Sequence, residues 1–193
     1  MIRFISDLHE GHENIIKFDN RPFKNIDEMR EQLIERWNSV VGNRDTTYIL
    51  GDFCWRKESD PLYSKFLNAL NGKKILVRGN HDPKNLPNGF TEVVDYKEIK
   101  DNKRRVIMSH YPMIMYHHDT DENAYMLYGH VHSTNEFTWI DYFTRQLVGN
   151  HATDGNPTGH LLNVGAMMPY INYTPRTLDE LIEAGKEKYG WKV

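Results

Sequence analysis

Apolar residues recur along this chain at two alternating spacings. Arg3-Phe4-Ile5, Thr47-Tyr48-Ile49-Leu50 and Lys74-Ile75-Leu76-Val77 are short apolar runs, and they predict strands. Between them Ile26, Met29, Leu33, Trp37 and Val40 fall at helical intervals, as do Leu62, Phe66, Leu67 and Leu70. Asn25 with Glu28 supplies an N-cap and capping box for the first helix, and Gly42 ends it. Asp60-Pro61 starts the second helix and Gly72 closes it. The first 80 residues therefore read β-α-β-α-β, which predicts parallel strands joined by helical crossovers.

The rest of the chain reads as richer in strands. Val93 to Ile99 and Arg105 to Met108 look like strands joined by a turn at Asp101-Asn102. Tyr125 to Tyr128, Phe137 to Phe143 and Leu161 to Val164 continue the strand-like runs. A final helix begins at a Thr177/Glu180 capping box and presents Leu178, Leu181 and Ile182 on one face. An α/β protein with two sheets packed face to face and helices outside satisfies both halves.

Composition narrows this picture. A chain of 193 residues without internal repeats or a Gly/Ser linker is expected to form one domain over residues 1–193. Hydrophobic residues at 39% and charged residues at 26% suit a globular protein. No apolar run reaches membrane-spanning length, and the N-terminus meets polar residues too early for a signal segment, so a cytoplasmic location is expected. Cys54 is the only cysteine, which excludes an intrachain disulfide and thiolate zinc clusters. A net charge of −3 lacks the basic excess of a nucleic-acid-coating protein. Ten histidines are the unusual feature, because imidazole is the commonest metal ligand.

Five short polar segments follow strands or end them: Asp7-Leu8-His9, Gly51-Asp52, Gly79-Asn80-His81-Asp82, Ser109-His110-Tyr111-Pro112 and Gly129-His130-Val131-His132. Strand C-terminal ends form the ligand crevice of open α/β sheets, so segments far apart in sequence can converge there. Aspartate and asparagine oxygens with histidine nitrogens suit hard-to-borderline divalent cations. In extended backbone Asp7 and His9 point to one side, as do His130 and His132. The glycines before Asp52, Asn80 and His130 suit sharp turns that bring backbone close to a metal. Each segment alone also reads as an ordinary turn or a hydrogen-bonded core histidine; their co-occurrence at strand ends is what points to metal.

These motifs, in this order, resemble the calcineurin-like metallophosphoesterase superfamily. Asn163-Val164-Gly165 and the closing helix also look like that family's C-terminal end. The stretch SDLHEGHENIIKFDNRPF, Ser6 to Phe23, is similar to a small bacterial and phage phosphoesterase subgroup. The resemblance implies a four-layer α-β-β-α sandwich of two mixed sheets flanked by helices. It implies one divalent metal on Asp7, His9, Asp52 and His132, and a second on Asp52, Asn80, His110 and His130, with Asp52 bridging. It implies that His81 stands beside the leaving group and binds no metal. The ligand types admit manganese, iron, zinc, nickel or cobalt.

A pair of such metals would activate water for in-line attack on a phosphate ester and clamp the phosphoryl oxygens. The metals outweigh the two aspartates and a bridging hydroxide in charge, so the centre attracts an anionic phosphate despite the chain's net charge. His81 would protonate the leaving oxygen; Asp82 either orients His81 or caps the turn. His12, Arg21 and Arg78 are candidates to bind substrate phosphate, against ordinary surface or ion-pair roles. His117, His118, Asp119, Asp121 and Glu122 read as a solvated loop, and His151 and His160 as loop decoration or a substrate lid.

The expected activity is thus hydrolysis of a phosphodiester or phosphomonoester, the diester favoured. Lys73-Lys74 and Lys103-Arg104-Arg105 make no basic stripe, which favours a nucleotide-sized substrate over nucleic acid. The competing reading is a metal-loaded interaction module without turnover; retention of His81 argues against it. Oligomeric state is left open.

Overall fold

The computed structural model describes residues 1–150 and 156–191. Strands β1 (Ile2–Ile5), β2 (Thr46–Ile49), β3 (Lys73–Val77) and β4 (Glu92–Val94) form one sheet in that order, every pairing parallel. Strands β5 (Tyr96–Asp101), β6 (Arg104–Ser109), β7 (Ala124–Tyr128) and β8 (Leu161–Asn163) form the second, with only β5–β6 antiparallel. Helices α1 (Ile15–Phe18), α2 (Ile26–Val40), α3 (Pro61–Ala69), α4 (Asn135–Asn150) and α5 (Leu178–Tyr189) flank them. This is the expected two-sheet α/β arrangement; between named strands the antiparallel pairing lies in the second sheet, while Arg176 adds an antiparallel bridge to Phe4 of β1.

Period-two alternation explains the layering. Val106, Met108, Tyr125, Leu127 and Leu162 join the main core with Phe4, Ile49 and Leu76 of the first sheet. Their neighbours Ile107, Met126, Tyr128 and Leu161 face the other way, into a second core under Phe137, Ile140 and Leu147 of α4. Both faces of the central strands are therefore covered, which is why they read as continuous apolar runs. Met29, Leu33 and Trp37 of α2, Tyr63, Phe66 and Leu67 of α3, and Leu178 and Leu181 of α5 complete the main core.

The predicted caps form. Asn25 accepts from the Glu28 N–H at 2.9 Å, but Glu28 reaches back to the Lys24 N–H rather than to Asn25. Asp60 accepts from the Leu62 N–H at 2.9 Å, and Thr177 with Glu180 forms the full reciprocal box.

Two strand expectations are corrected. The run Val93 to Ile99 breaks at Asp95, so β4 ends the first sheet and β5 opens the second. The segment from Phe137 to Phe143 is helical, within α4. The expected turn follows β5, with Asn102 and Lys103 at φ 49° and 70°, the left-handed pair of a tight hairpin. Among the described residues no helix is long and apolar enough to cross a membrane.

Candidate metal centre

The loops after β1, β2, β3, β6 and β7 carry the five polar segments, and they are laced together by backbone hydrogen bonds. Asp7 N–H donates to Gly51 O at 3.1 Å, His9 N–H to Asp52 O at 2.9 Å, and Gly129 N–H to His110 O at 3.0 Å. The expectation of extended backbone at the paired ligands is corrected. Asp7 (φ 55°), His9 (50°), Asp52 (51°), His130 (68°) and His132 (47°) all lie in the left-handed region. Each such non-glycine residue costs about 1–3 kcal/mol, and that strain concentrates at functional sites. Left-handed turns, not strand alternation, aim these side chains inward.

The glycines act through close approach. A Cβ on Gly79 would stand 2.3 Å from Asp52 Oδ1, and one on Gly129 would stand 2.6 Å from Asp7 Oδ2. At Gly51 (φ +87°) it would lie 2.3 Å from His110 Nδ1. These glycines make room for the ligand side chains of neighbouring loops.

Two clusters result. Asp7, His9 and His132 offer ligand atoms within 4.8 Å of one another, as do Asp52, His110 and His130. Asp52 Oδ2 lies 3.5 Å from both His9 Nε2 and His110 Nε2, between the clusters. Asn80 Oδ1 is 2.9 Å from His110 Nε2.

The hydrogen bonding fits a cation in each cluster. His110 Nδ1 sits 2.8 Å from the Leu50 carbonyl, an acceptor, so this nitrogen carries the proton. Its Nε2 lone pair then faces the Asn80 oxygen, acceptor against acceptor. His132 is oriented in the same way: Nδ1 sits 2.9 Å from Asp19 Oδ1, turning Nε2 towards His9 Nε2 at 3.1 Å and Asp7 Oδ1 at 3.6 Å, and burial of its imidazole is outweighed by the Asp19 hydrogen bond and the Asp7 charge, which favour its protonated form. Converging lone pairs on buried groups are what a divalent cation satisfies. Burial, with the neighbouring His132 and Arg21, holds the His9 imidazole in its neutral, ligating form. Burial also raises the Asp52 carboxyl, the Asp7 charge adding to the push while His110 opposes it.

Asp19 is a functional residue that the sequence reading missed. It orients His132 and is gripped by Arg21, whose Nε and Nη2 donate to Asp19 Oδ2 at 3.0 and 2.8 Å. The general signal was available, because a ligating histidine commonly donates its other N–H to a carboxylate. We expect Asp19→Ala to weaken manganese binding at the Asp7/His9/His132 cluster about 10- to 100-fold, read by calorimetry. Unchanged affinity would refute the orienting role.

Arg21 is corrected from phosphate ligand to buried brace. It is 4% exposed, and its remaining donors reach Leu8 O at 2.7 Å and Asp7 O at 2.9 Å. For Asp82 the turn-capping alternative holds and the orienting one does not. Its carboxylate accepts from the backbone N–H groups of Asp52, Phe53 and Gly79 at 2.9, 3.0 and 2.8 Å, tying two ligand loops together rather than orienting the His81 ring. Burial pushes the Asp82 carboxyl up to about 6 against those three hydrogen bonds. Asp82→Ala should lower stability by at least about 1–3 kcal/mol by orphaning buried donors. Thermal denaturation checks this, and an unshifted melting temperature would contradict it.

His81 is exposed at the cluster edge, its N–H donating to Asp52 Oδ1 at 2.9 Å and its ring 4.4 Å from that of Trp55. His12 reaches the same side, stacked on Trp55 at 4.1 Å. Arg78 lines a separate pocket with Asn80, His110 and Tyr111, and donates to Pro83 O at 2.6 Å. His117, His118 and His160 lie elsewhere. Exposed His117 contacts Glu98 at 3.0 Å and the His118 ring; Asp121 accepts from the Asn123 N–H at 2.8 Å; buried His160 stacks on Tyr125. His151 falls outside the described residues.

Residues 1–174 match the sequence profile of the calcineurin-like phosphoesterases. The chain belongs to the calcineurin-like phosphoesterase family. Among similar proteins, an uncharacterized protein of Methanocaldococcus jannaschii, MJ1445, is 35% identical over 190 residues, covering 96% of this chain and 93% of its own. The Gene 66 protein of Mycobacterium phage L5 is 27% identical over 159 residues, 67% of this chain and 76% of that protein. The crystal structure of AQ665 from Aquifex aeolicus, a protein of unknown function, superposes with a TM-score of 0.67 at 28% identity, covering 95% of this chain and 98% of that one. A calcineurin-like phosphoesterase is a metal-dependent hydrolase of phosphate esters, and the two ligand clusters suit that class.

Proposed function

We propose that this chain is a dinuclear metal-dependent phosphoesterase acting on a nucleotide-sized ester, with phosphodiesters preferred over monoesters. The observation that carries the reading is Asp52, whose Oδ2 is equidistant from a histidine of each cluster. Asp7, His9, Asp52 and His132 would hold one divalent cation, and Asp52, Asn80, His110 and His130 the other. Two such cations, manganese among the candidates, would supply Lewis acidity to the phosphoryl oxygens and activate water. His81, exposed beside the clusters, would give a proton to the leaving oxygen. Pockets of about 390 and 260 Å³ flank the centre, the first beside His9 and His81 and the second beside Asn80 and His110. Their size suits the two arms of a small diester.

The test is hydrolysis of bis-p-nitrophenyl phosphate and p-nitrophenyl phosphate side by side, with manganese and with chelator. Manganese-dependent cleavage, faster for the diester, is expected. Cleavage of the monoester alone would overturn the diesterase preference. Activity on neither, in protein holding two metals, would overturn the hydrolase reading.

A further inference from the structure

We propose that the pocket beside His81 is a subsite for a nucleobase, with Trp55 and Phe18 as its specificity-determining rings. This rests on the phosphoesterase reading above and names the substrate class.

Six of the nine side chains lining this pocket carry flat rings: His9, His12, Phe18, Trp55, His81 and His132. Ile15 is its one aliphatic member, 5% exposed, so an acyl chain finds little to pack against. None of the nine is lysine or arginine, so a leaving arm with further phosphates would meet no countercharge. The arm that suits these walls is flat and uncharged, which describes a nucleoside.

The rings stand ready for such a guest. Trp55 is 43% exposed and Phe18 73% exposed, a cost to a free protein that stacking on a ligand would relieve. Trp55 is nevertheless held in place, parallel to His12 at 4.1 Å and 11° and leaning on His81 at 4.4 Å. Phe18 meets the other side of this group, edge-on to His12 at 6.0 Å. Preorganised aromatic surface loses little entropy on binding. The second pocket differs: it offers Tyr111 as an exposed ring, but Arg78 and Asp95 bring charge to it and Asn80 and Ser109 polar groups. The two arms of the substrate are thus distinguished chemically, and the flat one falls on the side of His81.

The experiment is calorimetric titration of the manganese-loaded full chain with two uncleavable phosphonates, in which a methylene replaces the ester oxygen. One is the analogue of adenosine 5′-monophosphate and the other that of ribose 5-phosphate. The nucleoside phosphonate should bind about 10-fold more tightly or better, the range expected for base–aromatic stacking. Trp55→Ala and Phe18→Ala should each bring the ratio towards one, and Trp55→Phe should keep most of it. Both positions are solvent-exposed, so these variants should melt as the wild type does. Equal affinity for the two probes in the wild type, or a ratio unmoved in both alanine variants, would overturn the subsite. Aryl-ester turnover measured in parallel separates the two claims. Turnover with equal affinities sinks the subsite alone, and a preserved preference without turnover sinks the hydrolase reading alone.

Discussion

Asp52→Ala should cut turnover more than about 100-fold, because loss of a mere orienting partner of a metal ligand already costs about 10- to 100-fold. Asp52 is more central than that. Its Oδ2 stands 3.5 Å from His9 on one side and from His110 on the other, so it addresses an imidazole of each cluster. Its Oδ1 accepts the His81 N–H at 2.9 Å, which positions the loop after β3. Alanine removes both functions at once. Asp52→Asn separates them, since the amide oxygen can still accept from His81 while the charge is gone. We expect Asn to preserve the fold and still lose most activity. Metal content by elemental analysis, together with aryl-diester turnover, decides the matter. An alanine variant that kept two metals and near-normal turnover would sink the bridging assignment.

The same buried carboxylates link metal to stability. Asp7 and Asp52 are 0% and 2% exposed, and burial of two nearby negative charges is costly without a counterion. Chelation should therefore lower the melting temperature, and manganese at about 100 times its dissociation constant should restore about 2.7 kcal/mol per site. An unchanged melting curve after confirmed metal removal would contradict that linkage.

Much of this architecture was legible in sequence because local signals agreed with the tertiary outcome. The caps at Asn25, Asp60 and Thr177 form, and the buried runs of β1, β2 and β3 have no helical competitor. The failure at Phe137 to Phe143 has a physical cause. Phe137, Ile140, Thr144 and Leu147 face the core at helical spacing, but Trp139, Tyr142 and Phe143 lie 65%, 53% and 44% exposed outside that stripe. Aromatics on both sides mask the helical period and mimic a strand. Among the site residues, those with metal-binding chemistry were visible, because aspartate and histidine recur after strands. Asp19 was not, because a lone carboxylate at the end of a four-residue helix acquires meaning only when His132 arrives from 113 residues away. Arg21 was legible as a charged residue near the motifs but not as a brace, and Asp82 only as a local turn cap, because their more distant partners are backbone groups brought in by the fold.

His81→Ala is the variant expected to slow chemistry while leaving the metal clusters whole. His81 belongs to neither ligand group; its hydrogen bond to them is made by its backbone N–H on Asp52, which alanine retains, and its ring only leans towards that of His9 at 5.9 Å. Metal content and melting temperature should therefore match the wild type. The ring stands exposed in the pocket that faces the leaving arm, where a proton donor is needed when the departing oxygen is a poor leaving group. For an alkyl or nucleoside ester the rate should fall about 10²- to 10⁴-fold, the usual contribution of a positioned general acid. For a p-nitrophenyl ester, whose leaving phenolate needs no proton, the fall should be much smaller. The comparison thus reads the leaving-group dependence rather than a single rate. Equal losses on both substrates would eliminate the acid role and leave His81 as a phosphate-binding group. Loss of a metal from the purified variant would instead place His81 among the ligands, because a proton donor beside the clusters has no part in holding their cations.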